Sequence, residues 1–238
     1  MKDILKIIKF DHLTSSPIAI KPFIIIHVLC SLLGMLYAPL IFAYILFGAM
    51  IFVIPLQMIA EKSGFNKLYG ILPVNRRNIT RARFIYIFLI HFFAEVYAVI
   101  FASVSTALKL YKVLPNQEGE MMQMIEESFA DKLMTYGVIV GMFLFLCLIF
   151  SYMEMMGQIF GRENEMKIIL ITLAVVSVLL IGFLMLAERD IIPAIALPQF
   201  PETTSGRVTL AVIANICMFI VCLGFGEITA GRLAKREL

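Results

Sequence analysis

The sequence has few charged residues and little glycine or proline, and each scarcity excludes a class of protein. Of its 238 residues, only 16% are charged and 61% are hydrophobic, whereas soluble domains contain about 25% charged and 45–50% apolar residues. So few polar side chains cannot cover a water-facing surface. The 14 glycines and 9 prolines are too few for a fibrous protein, and the high apolar content excludes disorder. The composition therefore indicates an integral membrane protein.

Motifs for covalent chemistry or cofactor binding are also missing. The sequence contains no G-x-x-x-x-G-K-[ST] phosphate-binding loop, no H-E-x-x-H zinc motif and no G-x-S-x-G nucleophile elbow. The cysteines lie in apolar stretches, and their spacing predicts neither a disulfide framework nor a metal site. They are Cys30, Cys147, Cys217 and Cys222. We expect a protein that is not an enzyme by itself, binds no cofactor and, with a net charge of only +3, binds no nucleic acid.

Long apolar stretches predict an all-α membrane domain that includes the whole chain, residues 1–238. A bilayer core about 30 Å thick needs about 20 apolar residues per helix. The uncharged run 22–60 is long enough to cross twice, and Pro39 is the expected turn because proline breaks helices. Six transmembrane helices are predicted, at residues 20–37, 40–60, 84–108, 133–156, 168–187 and 208–226.

The distribution of lysine and arginine predicts the orientation of these spans. Fifteen of the 20 basic residues fall in the N-terminus, the loops 61–83 and 157–167, and the C-terminus, so both termini are expected in the cytoplasm. The amphipathic pattern of residues 2–12 predicts an interfacial helix that lies on the membrane. Its expected apolar face consists of Ile4, Leu5, Ile7 and Ile8, opposite Lys2, Asp3, Lys6 and Lys9.

The loop 61–83 combines basic and apolar residues. After Glu61 it holds six basic residues and no further acid, together with Phe65, Leu68, Tyr69, Ile71 and Leu72. Two interpretations remain open: a topology anchor that touches anionic lipid, or a short amphipathic helix that docks into another protein. In the second interpretation Pro73 ends that helix, and Asn75 or Asn78 caps the next one.

The run from Leu72 to Phe84 (Leu-Pro-Val-Asn-Arg-Arg-Asn-Ile-Thr-Arg-Ala-Arg-Phe) resembles the signature of small ABC-2-type permeases, the membrane subunits of bacterial ATP-binding-cassette exporters. In that family a leucine-proline-x-x-arginine turn and an alanine-arginine-aromatic helix start follow span two. The resemblance extends to the six-span plan and to the chain's ending, Gly226 to Leu238. Phe84 departs from the family pattern, in which tyrosine is commoner.

The resemblance implies a permease subunit of a multi-pass exporter in the bacterial plasma membrane. Loop 61–83 would carry a coupling helix that sits in a cleft of a separate ATPase subunit, which binds the ATP and Mg. The implied ATPase contacts are Asn66, Lys67, Leu68, Tyr69, Pro73, Arg76 and Arg77. A second permease subunit, identical or not, would complete the assembly. Amphipathic cytolytic peptides or other lipid-like, membrane-active molecules would be the substrates.

Two polar residues lie within the third predicted span. Glu95 is near its middle, where a charge costs roughly 2.5–3.5 kcal/mol, and His91 precedes it by four residues on the same helix face. Either the pair lines a translocation path, or a protonated Glu95 bonds to a neighbouring helix and holds the bundle together. Glu154 and Glu227 lie near span ends and are expected to snorkel or to pair with loop arginines.

Two rival functions remain open. In the first, the chain is a membrane immunity or binding protein that sequesters a toxin without pumping it. Alternatively it is an ion-coupled secondary transporter that uses Glu95 and His91, although the absence of an evident inverted repeat opposes this.

Overall fold

The computed structural model describes residues 3–10, 12–13, 29, 75–110, 132–188, 201 and 203–235. All regular secondary structure in these ranges is helical, which confirms the all-α prediction for this part of the chain. The helices are α1 (residues 3–10), α2 (Arg76–Leu108), α3 (Lys132–Phe160), α4 (Arg162–Glu188) and α5 (Thr204–Ala234). The predicted spans 20–37 and 40–60, and loop residues 61–74, lie outside the described residues.

Three of the described helices are long and apolar enough to cross a membrane. Their candidate membrane spans are Arg77–Leu108, Tyr136–Phe160 and Thr204–Ala234. The predicted spans 84–108, 133–156 and 208–226 fall within α2, α3 and α5. The fourth, 168–187, falls within α4, whose apolar stretch Lys167–Val178 is shorter. Length and composition therefore support a membrane protein.

Helix α2 begins eight residues before the predicted span, so the end of the predicted loop 61–83 is helical. Asn75 caps the helix, and its side-chain oxygen accepts a hydrogen bond from the Arg77 backbone N–H at 2.9 Å. This bond satisfies one of the backbone donors that a helix start leaves free. The structure thus selects Asn75 over Asn78 as the cap. Lys109 caps the C-terminal end of the helix. It has a positive φ of 53°, and its backbone N–H donates to the Ser105 carbonyl.

Helices α2, α3 and α5 pack against one another in all three pairings, and α4 packs against α3. The main core lies between α2 and α3. It consists of Ile87, Ala98, Ala102, Ile139, Phe143, Leu146 and Phe150. Gly226 lies at the contact between α2 and α5, where an added Cβ would lie 3.4 Å from the Phe84 ring. Alanine and glycine at these contacts allow the close helix approach that packing within a membrane requires.

Helix α1 packs against the start of α2. Ile7 is buried together with Ala82, and Ile4, Ile8, Phe10 and Ile79 surround them. Ile4, Ile7 and Ile8 thus contact protein, because α2, by starting at Arg76, offers α1 an apolar surface. Leu5 is 61% exposed, and its contact with the membrane stays a prediction. Beyond α1, His12 Nδ1 lies 3.2 Å from the Tyr86 hydroxyl.

A single residue, Gly161, connects helices α3 and α4. Its φ of 90° lies in the region that glycine adopts without strain. The Gly161 N–H donates to the Gly157 carbonyl at 3.1 Å, which closes the end of α3. The start of α4 therefore lies beside the end of α3.

Candidate functional site

The first turns of α2 contact α5 through a shared carboxylate. Arg77 and Arg81 lie one turn apart on α2, and both bind Glu227 near the end of α5. Arg77 Nε donates to Glu227 Oε2 at 2.9 Å, and Arg81 Nε donates to Oε1. The two arginine side chains are 59% and 32% exposed and that of Glu227 is 38% exposed, so solvent weakens these ion pairs.

A second ion pair joins α2 to α3 and is buried. Arg83 Nη1 lies 3.2 Å from Glu154 Oε1, with the side chains only 10% and 3% exposed. The same carboxylate oxygen accepts a hydrogen bond from Gln158 Nε2 at 2.6 Å. A desolvated pair of this kind is costly to break, because the remaining partner becomes an uncompensated buried charge.

We name the five residues Arg77, Arg81, Arg83, Glu154 and Glu227 the arginine clamp. It ties the start of α2 to the final turns of α3 and α5, so these three helix ends lie together. The prediction that Glu154 and Glu227 pair with arginines is confirmed, but these arginines belong to α2 and not to a loop. Basic residues concentrate at this end of the described helices: Arg76, Arg77, Arg81, Arg83, Arg162, Lys167, Arg232 and Lys235, against Lys109, Lys132 and Arg207 at the other.

Glu95 bonds a side chain of another helix. Its Oε1 accepts a hydrogen bond from Asn215 Nδ2 of α5 at 2.9 Å, and the same nitrogen donates to the Ala211 carbonyl at 3.0 Å. Both Glu95 and Asn215 are buried. This hydrogen bond between α2 and α5 agrees with the second interpretation of Glu95, in which it bonds to a neighbouring helix and holds the bundle together. Asn215 was not among the predicted site residues, although an amide within the uncharged stretch 208–226 indicates a polar contact inside the bundle.

His91 lies one turn from Glu95 and bonds elsewhere. Its Nδ1–H donates to the Ile87 carbonyl at 2.8 Å, and its ring lies 5.4 Å from the Phe150 ring. The buried Nε2 has no hydrogen-bond partner within the described part of the chain. The spacing of four residues places both side chains on one face of α2, but they bond different partners.

Two cysteines that the sequence left apart meet between α3 and α5. The Cys147 and Cys222 sulfurs are 3.7 Å apart, and the Ser151 hydroxyl lies 3.4 Å from Cys222 Sγ. Both thiols are free and buried, whereas Cys217 is free and exposed. Among the described residues, no three His, Cys, Asp or Glu side chains are placed to hold a metal ion.

Only two of the seven residues implied as ATPase contacts lie in the described part of the chain. Asn66, Lys67, Leu68, Tyr69 and Pro73 lie outside the described residues. Arg76 is the first residue of α2, and the guanidinium of Arg77 is bound to Glu227. Arg77, one of the two implied contacts that the structure describes, is thus bound to another helix of the bundle.

Comparison with known proteins yields no match to a protein-family model, a curated protein or a solved structure.

Proposed function

We propose that this chain is the transmembrane permease subunit of an ATP-binding-cassette exporter in the bacterial plasma membrane. It moves amphipathic peptides or other membrane-active, lipid-like molecules out of the cell. Separate ATPase subunits bind ATP and Mg and supply the energy, and a second permease subunit, identical or not, completes the membrane domain. The arginine clamp is the observation that supports this proposal best.

The clamp provides a mechanical path from loop 61–83 to the bundle. Residues 61–74 of this loop precede, in sequence, the Asn75 cap and the first turns of α2, where Arg77 and Arg81 bind α5 and Arg83 binds α3. A displacement of the loop therefore moves α2, and the ion pairs carry that movement to both neighbours.

The charge distribution is consistent with this role. The clamp end carries most of the basic residues of the described helices, as expected for a cytoplasmic end. In the proposed six-span arrangement, with both termini in the cytoplasm, loop 61–83 then faces the compartment that contains ATP. Its apolar residues and basic rim suit docking into a protein cleft.

Association with an ATPase tests the proposal. The chain is co-expressed with an ATP-binding-cassette ATPase of the same genome, chosen by gene proximity, and captured through a tag. The variants Tyr69→Ala and Arg76→Glu are expected to weaken association about tenfold or more, because central aromatic and arginine contacts dominate interface energies. Lys132→Glu, which reverses a charge at the opposite end of the bundle, is the matched control and is expected to bind like the wild type.

The outcomes separate the proposal from its rivals. Unchanged association in both loop variants contradicts the docking assignment. A complex that forms but hydrolyses no ATP favours a non-pumping immunity or binding protein. Transport that persists without any ATPase but is lost in Glu95→Gln and His91→Gln favours an ion-coupled transporter.

A further inference from the structure

The thiol pair between α3 and α5 has no part in the proposed function. Cys147 and Cys222 are 75 positions apart in sequence, yet their sulfurs lie at a van der Waals separation of 3.7 Å. Their residues are only 1% and 0% exposed. We propose that Cys147 and Cys222 are a redox modification site, a dithiol that a small peroxide converts reversibly into a disulfide joining α3 to α5.

The geometry favours a disulfide between Cys147 and Cys222 over one that includes Cys217. A disulfide has an S–S distance of about 2.05 Å, so the sulfurs must close from 3.7 Å, a movement that side-chain rotation and a small helix shift supply. Cys217 is exposed on α5 and lies on a different face from Cys222. Burial admits a small uncharged oxidant and excludes bulky reagents, which matches a peroxide.

Ser151 lies beside the thiol pair. Its hydroxyl lies 3.4 Å from Cys222 Sγ, beside both sulfurs. Because the thiolate is the nucleophile in thiol chemistry, one thiol of the pair must lose its proton and react first. The other thiol then completes the disulfide.

The reaction balances with one peroxide. One thiol of the pair loses its proton, and the thiolate attacks one peroxide oxygen, which breaks the O–O bond and gives a sulfenic acid and one water. The second thiol sulfur then attacks the sulfenic sulfur, its proton leaves with the hydroxyl group, and a second water is released. Two thiols are oxidised by two electrons, and hydrogen peroxide is reduced to two waters.

The disulfide would add a link that the arginine clamp lacks. In the clamp α3 and α5 are each tied to α2. Cys147 lies seven residues before Glu154, which is about 10 Å along the helix axis. Oxidation thus fixes α3 to α5 close to the clamp. This site does not depend on the proposed export function.

Thiol counting on the full-length protein tests the site. A Cys30→Ser/Cys217→Ser variant keeps only the two thiols of interest. After hydrogen peroxide treatment, denaturation and maleimide labelling, we expect loss of both reactive thiols and an intact mass lower by two hydrogen atoms. Proteolysis should then yield one peptide pair containing Cys147 and Cys222, and dithiothreitol should restore both thiols.

A matched variant and the wild type control for misfolding. Cys30→Ser/Cys222→Ser keeps Cys147 and the exposed Cys217, so it has two thiols but is expected to form no internal disulfide. The wild-type protein, which needs no substitution, should show the same Cys147–Cys222 peptide. Two free thiols after peroxide treatment, added oxygen atoms without a crosslink, or a bound metal ion in place of the crosslink would each overturn the proposal.

Discussion

Arg83 of α2 donates a hydrogen bond to Glu154 of α3 across 3.2 Å, with the two side chains only 10% and 3% exposed. Removing Arg83 leaves the Glu154 carboxylate buried without this ion pair. We therefore expect Arg83→Met to lower the free energy of unfolding by about 3–5 kcal/mol, measured by denaturant unfolding in detergent micelles.

The double variant separates the pair from the packing around it. Arg83→Met/Glu154→Met removes both charges and is expected to recover most of the loss, because no charge then remains buried. A double variant no more stable than Arg83→Met alone would show that the ion pair is not the cause.

Glu227 is expected to behave differently although it binds two arginines. Its side chain is 38% exposed, and those of Arg77 and Arg81 are 59% and 32% exposed, so water and salt screen the pairs. Glu227→Gln should lower the free energy of unfolding by at most about 1 kcal/mol. The loss should shrink further at about 1 M salt. A loss as large as that of Arg83→Met, or one that salt leaves unchanged, contradicts this expectation.

The Glu95–Asn215 hydrogen bond predicts that shape and polarity matter at position 95 and that charge does not. Glu95→Gln retains an acceptor for Asn215 Nδ2 and should unfold like the wild type. Glu95→Leu loses the acceptor and should cost about 1 kcal/mol, the scale of interhelical hydrogen bonds in membranes. Thermal unfolding of both variants checks this. Equal destabilisation by Gln and Leu would instead assign the stabilising role to the ionised carboxylate.

Gly226 and Gly224 form a matched pair for testing the α2–α5 contact. A Cβ at Gly226 would meet the Phe84 ring at 3.4 Å and Arg81 Cα at 3.6 Å, whereas one at Gly224 would meet nothing within 4 Å. Gly226→Leu should therefore overpack the interface and cost about 1–3 kcal/mol. Gly224→Leu should leave the unfolding free energy nearly unchanged. Similar losses in both variants would contradict the close approach of these helices.

Hydropathy predicted which segments are helical better than where the helices begin. The span at 84–108 is found within α2, but the helix starts at Arg76 because Asn75 caps it. An apolar stretch marks where side chains enter lipid, whereas a helix begins where its first N–H groups find acceptors. Likewise, the packing of α1 on the start of α2 could not be predicted from the apolar pattern of α1 alone.

The partners of the buried polar residues could not be predicted from local spacing. Glu95 and His91 stood out in an apolar span, but Asn215 lies 120 positions away from Glu95 in sequence. Cys147 and Cys222 are likewise brought together only by the packing of α3 on α5. By contrast, the pairing of Glu154 and Glu227 with arginines followed from the cost of a charge near the membrane.

ATP hydrolysis by the purified complex is the most direct test of the proposed function. The wild-type chain, co-purified with its ATP-binding-cassette ATPase and reconstituted in lipid, should support vanadate-sensitive hydrolysis. In Tyr69→Ala and Arg76→Glu this activity should fall together with the amount of bound ATPase, while Lys132→Glu should retain both. A wild-type chain that binds no such ATPase, or hydrolysis that is the same with and without the chain, would contradict the assignment of this protein as an exporter permease.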